Sequence, residues 1–244
     1  MKKYDVYGIG NAIVDIVTEV EHDFFTKNEI EKGVMTLVDE KRQHHLMKAI
    51  DMQRSRMSGG GSAGNTVVAV NQFGGNSFYS CLVAKDELGK FFLEDLKRNG
   101  VDTNLTYENC PEGITGKCLV MTSPDAERTM NTFLGVSSFL SPEHVDVNAI
   151  KNSSYVYLEG YLVPSPKGLE ALKEAKKIAE QNNDQGMINC CSGTPVKVKE
   201  LVEEYLRLKK AAIKLNLGFY PYTDYEPMRF WGDNKRLKTI LNNE

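Results

Sequence analysis

Two hydrophobic periods alternate along the first 210 or so residues, and this alternation limits the fold more than any other feature. Tyr4–Ile9, Ile13–Val20, Ser77–Ala84, Lys117–Thr122, Arg128–Leu134, Tyr155–Leu158 and Met187–Cys191 read as strands. Between them lie segments of helical period. Glu40–Arg54 carries Leu46, Met47 and Ile50; Ala63–Phe73 carries Val67, Val68 and Val70; Leu88–Arg98 carries Phe91, Phe92 and Leu96. Pro166–Ala179 places Leu169, Leu172, Ala175 and Ile178 on one stripe. Thr194 and Pro195 read as the cap and first turn of a further helix through Val198, Leu201, Val202, Tyr205 and Leu206. Strand and helix in turn predict an α/β fold with a layered, mainly parallel sheet. Residues 13–38 and 110–134 are strand-rich beyond that rhythm and predict a small β lobe beside the sheet.

Composition removes several alternatives. With 41% hydrophobic and 26% charged residues the chain is neither disordered nor fibrous. No apolar run approaches the roughly 18 residues of a membrane span, and Met1–Asp5 leads into a strand rather than a signal sequence. A net charge of −3 gives no pull toward nucleic acid or an anionic membrane. Cys81, Cys110, Cys118, Cys190 and Cys191 are odd in number and form no C-x-x-C, which suits reduced thiols in a cytoplasmic protein. For the adjacent Cys190 and Cys191 a packing role is expected. The last 40 residues differ from the rest. Residues 205–244 hold eight Lys/Arg against four Asp/Glu and 7 of the 22 Phe, Tyr and Trp. Phe219–Pro227 has neither period, so 1–210 and 211–244 are read as separate parts, the second an aromatic and basic tail.

Three groups of residues carry chemistry. Gly8-Ile9-Gly10 follows a strand as a dinucleotide fingerprint would, but Ile13 replaces the third glycine and another strand follows. A dinucleotide-binding oxidoreductase domain would need that turn to hold a pyrophosphate. Gly59-Gly60-Gly61-Ser62-Ala63-Gly64-Asn65 is a glycine-rich break before an apolar helix, whose free N–H groups can donate to oxygen atoms. It lacks the Walker lysine, and a plain loop is the competing reading. Asn11, Asp15, Asn65 and Glu159 form the third group. Glu159 closes a strand, where α/β folds place ligand groups, and carboxylates with amides suit the vicinal hydroxyls of a sugar. The competing reading is a solvent-facing Asp15 and a loop-edge Glu159. His22, His44, His45 and His144 show no ligand spacing and are expected in solvent; no metal site is assigned.

In their order these motifs resemble the PfkB, or ribokinase-like, family of sugar and nucleoside kinases. Gly8-x-Gly10-Asn11 with Asp15 is similar to its opening motif, and Gly60–Asn65 with Gly74 to its first signature. Leu82–Gly89 with Phe91–Thr103 is similar to its next stretch. Ser123–Gly135 and Tyr157–Leu162 resemble the adenosine-kinase-like bacterial branch. The likeness runs over residues 4–206. Val67 and Ala84 depart from the pattern, and neither removes a polar ligand group. The family's nucleotide-binding half lies after this region: its Asp-Thr-x-Gly-Ala-Gly-Asp signature, which supplies an anion-binding helix start and the base aspartate, is not in these 244 residues, and no Asn-x-x-Glu motif follows residue 112. Gly232-Asp233 is a chance echo of the latter.

The resemblance implies a ribokinase-like layered sheet with helices on both faces, a small β lid, and a C-terminal part truncated or diverged. It implies transfer of phosphate from ATP, with Mg²⁺, to a sugar or ribosyl hydroxyl. Asn11, Asp15, Gly60, Gly61, Asn65 and Glu159 would hold the sugar, and Arg128 would belong to the lid that excludes water. No residue here matches the family's catalytic base, so the chain is expected to bind substrate without turning it over. The alternative is a non-catalytic sugar- or nucleoside-binding module or pseudokinase. Expected partners are a small sugar or nucleoside and, through pairing of lids, a second copy of the chain; neither nucleic acid nor membrane is expected.

Overall fold

The first strand, β1 (Tyr4–Ile9), forms the middle of a parallel sheet because its side chains are apolar on both faces. The computed structural model describes residues 2–182, 194–217 and 233–241. The chain divides into two units, Met1–Asp184 and Gln185–Glu244. After β1 the first unit continues with β2 (Ile13–Glu19), α1 (His22–Lys27), β3 (Met35–Leu37), α2 (Glu40–Ala49) and β4 (Arg56–Gly60). Then come α3 (Ser62–Gln72), β5 (Ser77–Ser80), α4 (Glu87–Arg98), β6 (Thr115–Thr122) and β7 (Arg128–Gly135). It ends with α5 (Val147–Lys151), β8 (Ser153–Leu158) and α6 (Pro166–Glu180).

The strands form two sheets. The order β5-β1-β8 is parallel throughout. Helices cover both of its faces because successive side chains point to opposite sides. Phe78 packs with Tyr7, Ile9, Leu172 and Ala175 on one side, and Tyr79 packs with Ala63, Val67 and Phe92 on the other. The second sheet is mixed, in the order β3-β7-β6-β2-β4. Val14 and Ile16 of β2 join Phe25, Leu46, Leu119 and Met121 in the core. Ile13, Asp15 and Val17 alternate with them and face the other way, half-buried.

Several local expectations shift. Gly59 and Gly60 are not part of a loop but pair with β2, so the break narrows to Gly61. β5 ends at Ser80; Cys81, Leu82, Val83 and Ala84 stay buried after leaving the ladder. The helix from Glu40 ends at Ala49, and Met52–Arg54 is a separate 3-10 turn. His144 is half-buried rather than solvated, and its ring meets the Ser141 hydroxyl at 2.9 Å in a capping box.

The second unit contains α7 (Val198–Lys209) and α8 (Lys235–Leu241). Lys197, in extended backbone, and not Thr194, is the N-cap of α7, and residues 195–197 precede the helix without regular structure. The strand expected at Met187–Cys191, the packing role of Cys190 and Cys191, and the aperiodic Phe219–Pro227 lie outside the described residues. No described helix is long and apolar enough to cross a membrane.

Candidate functional site

Asn11, Gly60, Gly61 and Glu159, four of the expected site residues, lie where the two sheets meet. β1 ends at Ile9, and Gly10-Asn11-Ala12 carries the chain across to β2. No helix follows this turn, so it offers no helix N-terminus to a pyrophosphate. β8 ends at Leu158 beside β1, which brings Glu159 to the same crossing. The carboxylate there is 1% exposed. Its Oε2 accepts from the Asn11 backbone N–H at 2.5 Å and from Asn11 Nδ2 at 3.1 Å. Its Oε1 accepts from the Ser62 hydroxyl at 2.5 Å and from the Ala63 N–H at 3.1 Å. Four donors fill the positions a carboxylate offers. Two of them lie at the start of α3, where backbone N–H groups lack helical partners and favour an anion. The glycine-rich helix start therefore already holds an anion, one from the protein itself.

Glycine makes this approach physically possible. A Cβ on Gly10 would stand 2.7 Å from Glu159 Oε2. Gly61 has φ +91°, and a Cβ there would stand 2.2 Å from the Asn11 carbonyl oxygen. Asn11 is itself buried, and each of its polar atoms has a partner: Ser137 Oγ donates to its Oδ1 at 2.7 Å, and the Tyr79 hydroxyl to its carbonyl at 3.0 Å.

Asp15 presents the opposite case. It projects from the half-buried face of β2, over Gly60, where a Cβ would lie 2.6 Å from its carboxyl carbon. Among the described residues no hydrogen bond or ion pair to its carboxylate is made. Burial pushes its pKa above the ordinary 3.8, and the positive charge of Arg128 works against that rise. Arg128 itself is exposed at the start of β7. By register Asp15 stands beside Cys118, and Cys118 beside Thr132, so the three share one face. Thr132 Oγ1 donates to Cys118 Sγ at 3.2 Å. Burial pushes the Cys118 thiol up to about 11, which leaves it neutral and unreactive. Asn65 is exposed on the first turn of α3, and its backbone N–H donates to the Gly61 carbonyl at 2.9 Å.

Thus Asn11, Glu159 and Gly61 meet in one closed cluster, and Asp15 and Gly60 meet in a second, open place. Asn65 and Arg128 stand at the surface. Ser62, Tyr79 and Ser137 belong to the cluster and have no sequence signal beyond Ser62's place before the helix. A cavity of about 960 Å³ opens beside Leu37, Leu105, Ile114, Thr132, Leu134 and Val136. None of the expected binding residues lines it. Thr132 does line it, and Thr132 shares the open face of Asp15.

The helix start of α3 is filled by Glu159, and among the described residues no group of three His, Cys, Asp or Glu could hold a metal ion.

Comparison with known proteins bears on the same region. The pfkB family carbohydrate kinase pattern matches residues 33–212. The chain is 25% identical over 190 residues to adenosine kinase of Saccharomyces cerevisiae, covering 74% of this chain and 54% of the yeast protein. It is 24% identical over 183 residues to guanosine-inosine kinase of Escherichia coli, covering 70% and 42%. A probable sugar kinase from Rhizobium etli superposes with a TM-score of 0.68 at 35% identity, covering 75% of this chain and 55% of that one. Adenosine kinase from Sinorhizobium meliloti does so with 0.67 at 37% identity, covering 74% and 54%. The chain spans about half the length of the curated relatives it matches.

Proposed function

The chain belongs to the pfkB family of carbohydrate kinases, and from that premise we propose that its described first unit is the acceptor-binding part of a sugar or nucleoside kinase. Kinases of this family are phosphotransferases that use ATP and Mg²⁺. The acceptor is a ribosyl group, as in adenosine or inosine, and the single observation that carries this is Asp15. A half-buried carboxylate without a hydrogen bond among the described residues, on a face walled by Gly60, is suited to accept from two vicinal hydroxyls. Gly60 and Gly61 let ligand atoms approach the backbone closely, and Asn65 reaches from the first turn of α3. The cavity beside Thr132 and Leu134 leaves apolar room for a base. Arg128, at the start of β7, belongs to the mixed sheet that serves as the lid over the bound acceptor.

These residues bind and orient the acceptor hydroxyl and exclude water around it. The residues that would hold ATP and remove the hydroxyl proton have no counterpart among these 244, so the chain alone binds without transferring phosphate. The exposed edge strand β3, with Met35 and Leu37 facing solvent, supports pairing of two copies through this sheet; sedimentation of the purified chain as a monomer would refute that. Buried free thiols at Cys81, Cys110 and Cys118 support a cytoplasmic setting.

The test is thermal unfolding of the purified 244 residues against adenosine, guanosine, inosine, ribose and fructose. A rise in Tm with a nucleoside, lost in Asp15→Ala, is the expected result. No shift with any of them overturns the binding claim, and ATP-dependent phosphorylation of any of them overturns the claim of inactivity.

A further inference from the structure

We infer that Glu159 is a positioning residue: it does not touch the acceptor but locks together the crossings between the two sheets. The inference rests on the reading of Asp15 as the hydroxyl-binding group, and gives Glu159 a different task from it.

The chain passes between the sheets at several points, and a hydrogen bond of one cluster sits at most of them. The β1–β2 crossing is held by the Asn11 N–H and Nδ2 on Glu159 Oε2. The step from β4 into α3 is held by Ser62 Oγ and the Ala63 N–H on Oε1. The exit from β7 is held by Ser137 Oγ on Asn11 Oδ1, so it reaches Glu159 through Asn11. Glu159 is thus the common acceptor of segments 148 and 97 residues away along the chain. The remaining entry, into β6, has its own carboxylate. Asp86 accepts from the Thr115 N–H at 2.9 Å and from Thr115 Oγ1 at 2.6 Å, while also capping α4 through the Gly89 N–H at 2.7 Å.

A direct contact between Glu159 and a ligand hydroxyl would have to displace one of these four donors. That would leave a buried N–H or O–H without a partner. Asp15 offers the same hydroxyl an acceptor with nothing to displace. What Glu159 sets instead is the relation between Asp15 on β2 and Gly60–Gly61 ahead of α3. Both follow at once from crossings that Glu159 pins.

Two measurements on the whole chain decide this. Amide hydrogen exchange needs no ligand. In Glu159→Gln, whose side-chain NH₂ faces donors rather than accepting from them, exchange at Asn11 and Ala63 rises by about tenfold or more, with the α6 amides unchanged. Unchanged exchange at both overturns the inference. The second measurement is the affinity for adenosine, 2′-deoxyadenosine and 3′-deoxyadenosine. Glu159→Gln weakens all three by one common factor and moves the titration of the Asp15 carboxyl. Asp15→Ala instead reduces the advantage of adenosine over the deoxy form whose hydroxyl it held. If Glu159→Gln alone removes that advantage, Glu159 touches the hydroxyl and the inference is wrong. If the wild type binds none of the three, the reading of Asp15 fails, and amide exchange still decides the role of Glu159. If Glu159→Gln does not fold, Ser62→Ala, which removes one donor of the four, serves in both measurements with the same criteria at Ala63.

Discussion

Glu159 and Asp15 are both carboxylates at the junction of two sheets, and their surroundings are opposite. Glu159 is almost wholly buried and accepts from four donors. Asp15 is half-buried, and among the described residues its carboxylate has no hydrogen-bond partner. A buried charge persists only when its hydrogen bonds are complete, so Glu159 is explained by the fold. A carboxylate that is partly desolvated and left unbonded is not explained by the fold, and points to a ligand. If Asp15 holds the acceptor, as proposed, burial and proximity to the junction alone would rank these two residues in the wrong order for binding.

Removing the filled carboxylate should have the largest effect on stability. Glu159→Ala leaves four donors facing each other in the interior, and should cost about 3–5 kcal/mol. That corresponds to a Tm lowered by about 6–20 °C in a unit of this size. A change within about 1 kcal/mol in denaturant unfolding would break the contrast with Asp15.

Next is Gly61→Ala, which tests the glycine that allows the closed cluster. A side chain at φ +91° with its Cβ 2.2 Å from the Asn11 carbonyl oxygen should cost about 1–3 kcal/mol or more. Asn11 and α3 can relieve that contact only by moving apart.

Asp15→Asn should change stability by about 1 kcal/mol or less, with a sign that depends on pH. The folded-state pKa of Asp15 is raised, so ionisation disfavours the folded state. Below the unfolded value near 3.8 both forms are neutral and the variant gains nothing. As pH rises from there through the folded pKa, the wild type loses stability relative to Asp15→Asn, and the gap then stays constant. Urea unfolding of both proteins across the acid range measures it. A gap that shrinks with rising pH would show a carboxylate stabilised by partners.

The smallest effect belongs to Arg128→Ala. Arg128 is exposed, and its loss should change stability by about 0.5 kcal/mol or less. It should still raise the Asp15 pKa further, because the attraction of its positive charge, which opposes the rise, is gone. Carboxyl NMR of Asp15 reads this directly.

Much of this was legible in the chain, with a physical limit. β2 follows from its apolar alternation, β1, β6 and β7 from their strand-like runs, and α4 and α6 from their stripes. β4 was not legible, because Arg56-Met57-Ser58-Gly59-Gly60 has little strand preference of its own and is made a strand by pairing with β2. Asp15 was legible as a polar residue in an apolar strand. The place of Glu159 at a strand end was legible too, but its saturation was not. Its donors lie 97 and 148 residues away, and local pattern does not encode such a meeting. Ser137, 126 residues from Asn11, gave no signal at all.

The most direct test of the central claim is calorimetric titration of adenosine into the 244-residue chain and into its Asp15→Ala variant. A charge-assisted pair of hydrogen bonds predicts saturable binding to the first, weakened by about 10- to 100-fold in the second, with both proteins folded. Equal affinity in the two would contradict the assignment of Asp15 as the group that holds the acceptor.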